Sequence, residues 1–357
     1  MTKASTKLLI AASGTGGHLF PAIALAKELT DYEIEWLGVP NRLETKLVPQ
    51  QYKLNTISVE GFQKGLSISS LLTFGKLIGS VIKVRNIISQ GKFQGLITTG
   101  GYIAGPSIIA ARSLGIPAIL HESNAFPGKV TRFFGPWYNF VAIGFDAAAQ
   151  YLPRAKTVCV GTPVRQEFLE VDIEKTLDLS IPDGVPLIVV FGGSQGAVAV
   201  NQMVRQSAPA WFEAGAWIVH LTGENDPDIS SLQHPQYISL PFYQNMAALL
   251  NRANLAISRS GAGSLTEMAV CGTPAILIPY PYAAEDHQTY NARVFSAADA
   301  GIIFKQSELT AEILQNKVSE LLDSPETLEM MANNARKIAV PDSAEKLANL
   351  VRELVKN

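Results

Sequence analysis

The chain of 357 residues is long enough for two domains, each with its own core. Hydrophobic residues make up 47% and charged residues 17%, which is typical of a globular protein and not of a disordered one. Lys and Arg total 29 against 31 Asp and Glu, so the overall charge gives no sign of a nucleic-acid partner. Cys159 and Cys271 match no metal-ligand or CxxC spacing, and we expect two buried thiols in a reducing cytoplasm.

The sequence also gives no indication of export or of a membrane span. Residues 1–6 lack the long apolar run of a signal peptide. No stretch reaches about 18 apolar residues without a charge. We therefore expect the protein to stay in the cytoplasm.

Short apolar segments alternate with helical patterns along the whole chain, which predicts parallel sheets built from βαβ units. The predicted strands of the first half are residues 8–12, 33–37, 95–99, 118–121 and 140–143. Those of the second half are residues 187–191, 217–221, 237–240, 255–258 and 275–278. Most end in Gly, Ser, Thr or His, at the edge where open α/β sheets bind ligands. A segment rich in Pro, Asp and Gly at 161–186 predicts the interdomain linker, and residues 344–355 predict a last amphipathic helix.

A glycine-rich turn between a predicted strand and a predicted helix occurs twice, as GTGGH at 14–18 and GGSQG at 192–196. Glycines let backbone N–H groups approach a ligand, and a helix N-terminus favours negative charge, so each unit predicts an anion site. The dinucleotide pattern GxGxxG is excluded, since Leu19, Ser194 and Ala197 occupy required glycine positions. Two such units half a chain apart predict two similar α/β domains facing each other across a cleft, as in sugar-nucleotide enzymes.

A third glycine-rich helix start, SRSGAGSLTE at 258–267, is more specific. Its N–H groups could hold a pyrophosphate, while Glu267 one turn in could accept bonds from ribose hydroxyls. The alternative is an ordinary helix cap with an acid in the first turn. Asp226-Pro227-Asp228 has the DxD form of a metal site, but the sequence favours a turn leading into a helix. Without a metal, helix dipoles and an arginine, either Arg165 or Arg259, must stabilise a leaving diphosphate, unless each is an ordinary ion-pair residue.

His18 is the best candidate for a general base. It follows a glycine turn at the carboxyl edge of a strand, and a histidine pKa near 6.5 suits proton abstraction from a sugar hydroxyl. The alternative is a histidine that caps its own turn. His121 and Glu122 end another predicted strand at the same edge and supply further polar groups.

One predicted helix, between residues 69 and 83, carries a single polar stripe and an unusually wide apolar arc. The alternatives are a well-buried helix and a surface that docks on an anionic bilayer. The residues of the proposed docking face are Leu71, Phe74, Lys76, Leu77, Ile78, Val81 and Lys83.

Several motifs in chain order resemble one family. They are GTGGH at 14–18, GGY at 100–102, HESN at 121–124, GTPVR at 161–165, GGSQGA at 192–197, SRSGAGSLTE at 258–267 and DHQTYNA at 286–292. Together they resemble the MurG family, peripheral transferases that add N-acetylglucosamine (GlcNAc) to lipid I in peptidoglycan synthesis. The resemblance implies an α/β protein of the GT-B fold, with two Rossmann-like domains whose parallel sheets face each other across a cleft.

The resemblance further implies an inverting transfer of GlcNAc from UDP-GlcNAc to the 4-hydroxyl of the N-acetylmuramic acid (MurNAc) of lipid I. The products are lipid II and UDP, with no required metal or cofactor. The implied partners are UDP-GlcNAc, lipid I, an anionic membrane surface, and the cell-wall and division machinery, without nucleic acid. The implied location is peripheral, on the cytoplasmic face of the plasma (inner) membrane, in cell-wall biogenesis, cell shape and cell division.

Carried over by motif, the resemblance assigns roles to individual residues. His18 matches the histidine implicated in catalysis. The implied donor contacts are Thr15, Gly16, Gly17, Asn124, Arg165, Ser194, Tyr243, Ala262, Gly263, Ser264, Leu265, Thr266, Glu267 and Gln288. The acceptor side is Gly14, Gly100, Gly101, Tyr102, His121 and Glu122. Ser13, Ser123 and Thr162 depart from the family pattern, and we expect them to tune geometry and not to change the reaction.

The expected domains are residues 1–162 for the acceptor and the membrane, residues 163–340 for UDP-GlcNAc, and a helix at 341–357 that packs back on the first domain. Three other functions stay open at this point. They are another GT-B glycolipid transferase such as one acting on diacylglycerol, a UDP-GlcNAc epimerase, and a non-enzymatic UDP-sugar-binding protein.

Overall fold

A computed structural model describes residues 6–59, 68–170, 177–193 and 196–356, with the backbone alone for 68–74 and 356. The chain divides into two compact units. The N-terminal unit comprises Met1–Arg165 together with Val340–Asn357, and the C-terminal unit comprises Gln166–Ala339. Each unit is built on one parallel sheet.

The sheet of the N-terminal unit has seven parallel strands in the order β3-β2-β1-β4-β5-β6-β7. The strands are β1 (Thr6–Ala11), β2 (Tyr32–Gly38), β3 (Lys53–Thr56), β4 (Gly95–Thr98), β5 (Ala118–Glu122), β6 (Phe140–Ile143) and β7 (Thr157–Cys159). The α-helices between them are α1 (Gly16–Glu28), α2 (Glu44–Leu47), α3 (Ile68–Gly91), α4 (Ala104–Ser113) and α5 (Lys129–Phe134). Two apolar clusters cover the two faces of this sheet, which is why its central strands read as unbroken apolar runs.

The sheet of the C-terminal unit has six parallel strands in the order β10-β9-β8-β11-β12-β13. The strands are β8 (Leu187–Phe191), β9 (Trp217–Leu221), β10 (Tyr237–Leu240), β11 (Leu255–Ser258), β12 (Ala275–Leu277) and β13 (Gly301–Ile303). The helices are α6 (Val198–Glu213), α7 (Met246–Arg252), α8 (Ala262–Cys271), α9 (His287–Ala297), α10 (Ala311–Leu322) and α11 (Pro325–Ile338). In both sheets the strand order reverses beside the first strand, at β1/β4 and at β8/β11, and such reversal points are where doubly wound sheets bind ligands.

The last helix, α12 (Ser343–Lys356), belongs to the N-terminal unit. Leu347 and Val351 are fully buried in the same apolar cluster as Leu25 of α1. Arg352 donates from Nη2 to the carbonyl oxygen of Glu28 at 2.7 Å and also forms an ion pair with a neighbouring carboxylate. The chain therefore leaves the C-terminal unit before it ends.

The structure differs from the sequence predictions in a few elements. Strands β3, β7 and β13 were not predicted, because each is three or four residues long and only partly buried. Cys159 is exposed, whereas Cys271 is buried as expected. Residues 227–230 form turns, so the helix expected after Asp226-Pro227-Asp228 is wrong. Within the described ranges, no helix is both long enough and apolar enough to cross a bilayer.

Candidate active site

The first glycine turn connects β1 to α1. Gly14 has φ of +105°, a left-handed conformation that a side chain would strain, and Thr15 is the N-cap of α1. The N–H of Gly14 donates to Glu44 Oε2 at 3.3 Å, and the N–H of Val39 donates to Glu44 Oε1 at 2.7 Å. The fully buried Glu44 carboxylate thus connects the turns after β1 and β2. Because its N–H is used in this way, Gly14 shapes the turn, and Gly16 and Gly17 offer the N–H groups at the helix start.

Glu44 was missed by the sequence reading. The only available signal is an acidic residue in an RLETKL segment that follows β2. Its two partners come from separate turns, so no local pattern could have indicated them.

His18 lies on the first turn of α1, and its ring points to the end of the neighbouring strand β4. Its Nδ1 is 2.5 Å from the carbonyl oxygen of Thr99. A carbonyl oxygen can only accept, so Nδ1 carries the hydrogen, and the neutral ring has its lone pair on Nε2. A histidine in this tautomer can take a proton through Nε2.

Two glycines after β4 leave room for this ring. Gly100 and Gly101 have φ of +89° and +74°. A Cβ atom added at Gly100 would lie 3.2 Å from His18 Cε1, and one added at Gly101 would lie 4.0 Å from Nε2. The next residue, Tyr102, is more than half exposed. The predicted acceptor segment GGY and the predicted base are therefore adjacent.

His121 and Glu122 reach the expected sheet edge, but both side chains are buried. His121 is fully buried with Nε2 3.0 Å from the carbonyl oxygen of Gly161, and burial lowers its pKa. Glu122 accepts from the N–H and Nδ2 of Asn124 at 3.0 Å each, from the N–H of Gly128 at 3.1 Å and from Thr131 Oγ1 at 2.7 Å. These side chains fix the loop that presents Asn124, and their expected role on the acceptor side stays a prediction.

Arg165 lies beside the first glycine turn. Its guanidinium carbon is 4.8 Å from the ring centroid of Phe20 on α1. The Phe20 ring in turn covers Gly16, since a Cβ atom there would lie 2.7 Å from Phe20 Cε2. The Phe20 ring thus contacts both Arg165 and the first turn of α1, and the role of Arg165 at a diphosphate stays a prediction.

The second glycine turn connects β8 to α6. Gly193 and Gly196 have φ of +82° and +72°, and the N–H of Gly196 donates to the carbonyl of Gly193 at 2.9 Å. A Cβ atom at Gly196 would lie 2.3 Å from the carbonyl oxygen of Thr222, so this position requires glycine. Ser194, a predicted donor contact, lies outside the described residues.

A buried polar network lies behind this turn. Asn201 on α6 donates from Nδ2 to the carbonyl of Thr222 at 2.8 Å and to Asp226 Oδ2 at 2.6 Å. Arg205 forms a two-bond ion pair with Asp226, at 2.8 and 3.2 Å. Although burial opposes it, hydrogen bonds from Arg205, Asp228 and Asn201 lower the pKa of Asp226. The first carboxylate of the DxD tripeptide is therefore held by an arginine.

The N-terminus of α8 has the expected small residues. Gly261 is its N-cap and no side chain caps it, so the N–H groups of Ala262, Gly263 and Ser264 begin the helix. Gly263, Ser264 and Glu267 are partly exposed.

Leu265 and Thr266, two further predicted donor contacts, bond within the helix. Leu265 is fully buried and its N–H donates to the carbonyl of Gly261 at 3.0 Å, while Thr266 Oγ1 donates to the carbonyl of Ala262 at 2.9 Å. Both residues stabilise the first turn of α8.

Three further predicted residues are tied to neighbouring loops. Arg259 donates from Nη1 to the carbonyls of Ile278 and Pro279 at 3.0 and 3.2 Å, so this arginine anchors the end of β12 and is no candidate for the leaving diphosphate. Gln288 Oε1 accepts from the N–H of Tyr280 at 2.8 Å. The hydrogen-bond donor of the Gln288 side chain is its NH₂ group. The hydroxyl of Tyr243 donates to Asp178, and burial together with this carboxylate raises the pKa of Tyr243.

Comparison with protein-family models gives two matches. Residues 8–143 match the N-terminal domain of glycosyltransferase family 28, and residues 187–347 match its C-terminal domain. The chain belongs to glycosyltransferase family 28. The matches place the first glycine turn and His18 in the family's N-terminal domain, and the second turn and α8 in its C-terminal domain.

Two similar relatives of this family 28 chain carry the same name, UDP-N-acetylglucosamine--N-acetylmuramyl-(pentapeptide) pyrophosphoryl-undecaprenol N-acetylglucosamine transferase. The protein of that name from Trichormus variabilis is 74% identical over 355 residues, 99% of each chain. That from Gloeothece citriformis is 60% identical over 352 residues, 99% of this chain and 97% of the relative.

Solved structures agree with the family assignment. The crystal structure of Acinetobacter baumannii MurG superposes with a TM-score of 0.78 at 28% identity, covering 98% of this chain and 99% of the other. The calicheamicin glycosyltransferase CalG4 gives 0.73, and a Staphylococcus aureus MnaA structure with UDP gives 0.69, both at 13% identity. These last two show a shared GT-B fold alone. The predicted fold class, two Rossmann-like domains with parallel sheets, is confirmed.

Proposed function

We propose that this chain transfers GlcNAc from UDP-GlcNAc to the 4-hydroxyl of the MurNAc of lipid I, giving lipid II and UDP. The observation that carries the mechanism is the His18 ring, whose Nδ1–H is held by the Thr99 carbonyl so that Nε2 is the basic atom. The identity of 74% to transferases of that name supports the substrates. The 74% sequence identity favours this reaction over the three alternatives, a sugar-nucleotide epimerase, another glycolipid transferase and a binding protein.

The proposed step is an in-line displacement. His18 Nε2 takes the proton of the 4-hydroxyl as that oxygen forms a bond to C1 of GlcNAc. The bond from C1 to the diphosphate oxygen breaks on the opposite side, its electron pair leaves with UDP, and the configuration at C1 inverts. We assign the developing diphosphate charge to the N–H groups at the start of α8 and to Arg165.

The proposal assigns the two substrates to different parts of the chain. Residues 163–340 bind UDP-GlcNAc through Ala262, Gly263, Ser264, Glu267 and Gln288. Residues 1–162 bind the acceptor through Gly14 and Gly100 to Tyr102, and residues 341–357 complete that domain. No cofactor is required in this scheme.

Radiolabelled UDP-GlcNAc incubated with lipid I tests the reaction, and absence of a labelled lipid product would refute it. His18→Ala should lower kcat by about 10²- to 10⁴-fold, the usual contribution of a general base. Its affinity for UDP, measured by titration calorimetry, should stay near that of the wild type. A kcat near the wild-type value would remove His18 from the role of base.

We also propose that no metal ion takes part. The supporting observation is Asp226, whose carboxylate is paired with Arg205 and hydrogen-bonded by Asn201. Initial rates in EDTA should equal those in added magnesium, and a rate that depends on magnesium would refute this assignment.

The docking face on α3 is proposed to bind an anionic membrane. Its described part exposes Ile78 and Ile82 to 46% and 54%, with Lys76 and Lys83 exposed beside them. Leu77 and Val81 are half-buried, and the side chains of Leu71 and Phe74 lie outside the described residues. Large apolar side chains next to lysines suit the interface of an anionic bilayer.

Aromatic residues from α5 and the short helix after it (Gly135–Trp137) extend this face. Phe133 and Trp137 are exposed to 69% and 41%, and both rings pack edge-on against Phe134, at 4.7 and 5.5 Å between centroids. Phe134 lines the same pocket as Leu77 of α3, so the two groups meet. Tryptophan and phenylalanine side chains are favoured at membrane interfaces.

Vesicle flotation tests the membrane proposal. Ile78→Glu should reduce binding to vesicles that contain anionic lipid, whereas Ile313→Glu, an equally exposed isoleucine on α10, should bind as the wild type does. Equal flotation of both variants, or flotation independent of anionic lipid, would refute it. The location that follows is peripheral, on the cytoplasmic face of the plasma membrane, where the cell-wall and division machinery would receive the product.

A further inference from the structure

The backbone of Tyr243 keeps a hydrogen-bond donor and an acceptor that the protein does not use. Tyr243 follows β10 at the carboxyl edge of its sheet and is only 8% exposed. Neither its N–H nor its carbonyl oxygen forms a hydrogen bond with another residue in the ranges that the structure describes. Backbone groups of buried residues are nearly always paired, so a free donor and a free acceptor on one such residue suit a ligand.

The free groups of Tyr243 match one edge of a uracil ring. A residue that keeps both its N–H and its carbonyl free can exchange two hydrogen bonds with an amide, as opposed residues of antiparallel strands do. Uracil has such an amide, in which the N3–H donor lies beside the O4 acceptor. The nucleotide of the proposed donor therefore carries a partner for both groups.

Tyr243 lies on the same sheet edge as the second glycine turn. The N–H of Gly223 donates to the carbonyl of Pro241 at 3.1 Å, which ties the segment after β10 to the segment after β9. A Cβ atom added at Gly196 would lie 3.1 Å from the Cα atom of Gly223, so Gly223 also packs on the glycine turn. A base bound at Tyr243 is thus near the anion site predicted at this turn.

The side chain of Tyr243 is held by a carboxylate from another segment. Its hydroxyl donates to Asp178, which precedes β8. Burial and this carboxylate raise the pKa of Tyr243, so the hydroxyl keeps its hydrogen at neutral pH. Arg252 of α7 anchors the segment that carries Asp178, because its Nη2 donates to the carbonyl of Val185 at 2.8 Å. Tyr243 is therefore attached to a partner that is itself fixed.

We propose that Asp178 is a positioning residue for the nucleotide: it holds the Tyr243 side chain in place, so that the free N–H and carbonyl of Tyr243 pair with the uracil of UDP-GlcNAc. The inference rests on the proposed function, since it takes the nucleotide to be a uridine diphosphate. Asp178 acts through Tyr243 and does not itself contact the base. A bond that only attached one segment to another would leave the two backbone groups of Tyr243 without a use.

Inhibition kinetics with the full chain tests the proposal, with uridine as the probe for the base and inorganic pyrophosphate as the probe for the diphosphate. Tyr243→Phe removes only the hydroxyl, and Asp178→Ala removes its acceptor. Each change should weaken the inhibition by uridine and by UDP by about fivefold or more, the usual effect of one hydrogen bond. Inhibition by pyrophosphate should stay at the wild-type level, because the glycine turns and α8 are unchanged.

Three further variants sharpen the test. The double variant should bind uridine no more weakly than either single one, since both changes remove the same contact. Asp178→Asn keeps an oxygen that accepts from the hydroxyl and should retain most of the affinity. Asp183→Ala, which changes an exposed aspartate on the same segment, is the matched control and should behave as the wild type. In all variants kcat at saturating UDP-GlcNAc should be unchanged, because the base takes no part in the transfer.

The outcomes are distinguishable. Wild-type affinity for uridine in Tyr243→Phe, or losses that add up in the double variant, would overturn the proposal. Equal losses for uridine and pyrophosphate together with a lower melting temperature would show a merely structural bond and also overturn it. If Tyr243→Phe fails to fold, Asp178→Ala decides the matter. A wild-type protein that binds UDP but transfers no GlcNAc to lipid I would refute the proposed function and not the positioning of the base.

Discussion

Acid should weaken the C-terminal unit through one fully buried histidine. Burial, together with the nearby charge of Arg205, lowers the pKa of His220 to about 3. Its Nε2 lies 3.0 Å from Asn201 Oδ1, and its Nδ1 lies 2.8 Å from the hydroxyl of Tyr237. Because Asn201 Nδ2 donates elsewhere, Oδ1 is the acceptor and His220 carries its hydrogen on Nε2. The neutral ring therefore forms a hydrogen bond with each partner. A second proton would lie on Nδ1 and would point at the tyrosine hydroxyl that donates to this nitrogen.

The size of the effect follows from the two pKa values. In the unfolded chain a histidine has a pKa of about 6.5. Between pH 6.5 and pH 3 the unfolded chain binds a proton that folded His220 does not, so the free energy of unfolding falls as the pH falls. At pH 5 the loss relative to pH 8 is RT ln(1 + 10^1.5), about 2 kcal/mol.

The unfolding of the C-terminal unit can be followed by itself. Pulse-labelling hydrogen exchange is carried out at increasing urea, and mass spectrometry reads the peptides that contain residues 217–221. The wild-type midpoint should fall by about 1 M urea from pH 8 to pH 5, taking m as about 2 kcal/mol/M. His220→Gln keeps a donor and an acceptor but removes the titration, so most of this shift should disappear.

His287→Gln, at the partly exposed start of α9 in the same unit, is the control and should retain the wild-type shift. A full acid shift in His220→Gln would show that other groups cause it. If the His220 ring titrates near pH 6.5 by NMR, the lowered pKa on which this prediction rests is refuted.

Four substitutions test three other contacts. Glu122→Gln should cost about 2–3 kcal/mol, measured by thermal denaturation, because an amide NH₂ would face hydrogen-bond donors; an unchanged melting temperature would contradict the loop-fixing role. Gly196→Ala should weaken UDP binding by about tenfold or more, because the new Cβ would clash with the Thr222 carbonyl. Gly193→Ala is the control: its Cβ would meet open space, so the variant carries only the strain of the left-handed backbone, about 1–2 kcal/mol. Equal UDP affinities of the two variants in calorimetry would count against the clash. Thr162→Val should stabilise the protein by about 1 kcal/mol, since Thr162 Oγ1 is buried without a hydrogen-bond partner among the described residues; a loss of stability on urea unfolding would imply a partner for that hydroxyl.

The sequence predicts the central strands because they are buried on both faces. β8, LIVVF, is buried at all five positions, so its apolar run stands out from its neighbours. β3, KLNT, lies at the edge of its sheet and contains no fully buried residue. Its strand character comes from pairing with β2 and not from its composition, so a reading of local patterns has nothing to detect.

The site was predictable where chemistry depends on backbone position and unpredictable where it depends on side-chain direction. Glycine turns and the sheet edge locate His18 and Gly100 correctly next to each other. The same edge contains His121 and Glu122, but helices cover both faces of the sheet, so both side chains point into the protein. Residue type and strand position alone do not distinguish a group that meets a ligand from one that holds a loop.

The two glycine turns show the same contrast between backbone position, which the sequence predicts, and side-chain contacts, which it does not. In the first, a buried carboxylate, Glu44, accepts the N–H of Gly14, so one of the groups that would bind an anion is already used. In the second, the close approach comes from a carbonyl, that of Thr222, which Asn201 holds in place while Gly196 makes room for it. A negative charge behind the first turn disfavours a second anion there, whereas the arginine of the second network balances its carboxylate. This difference in charge agrees with the proposal that the nucleotide diphosphate binds in the C-terminal unit and that the first turn positions His18.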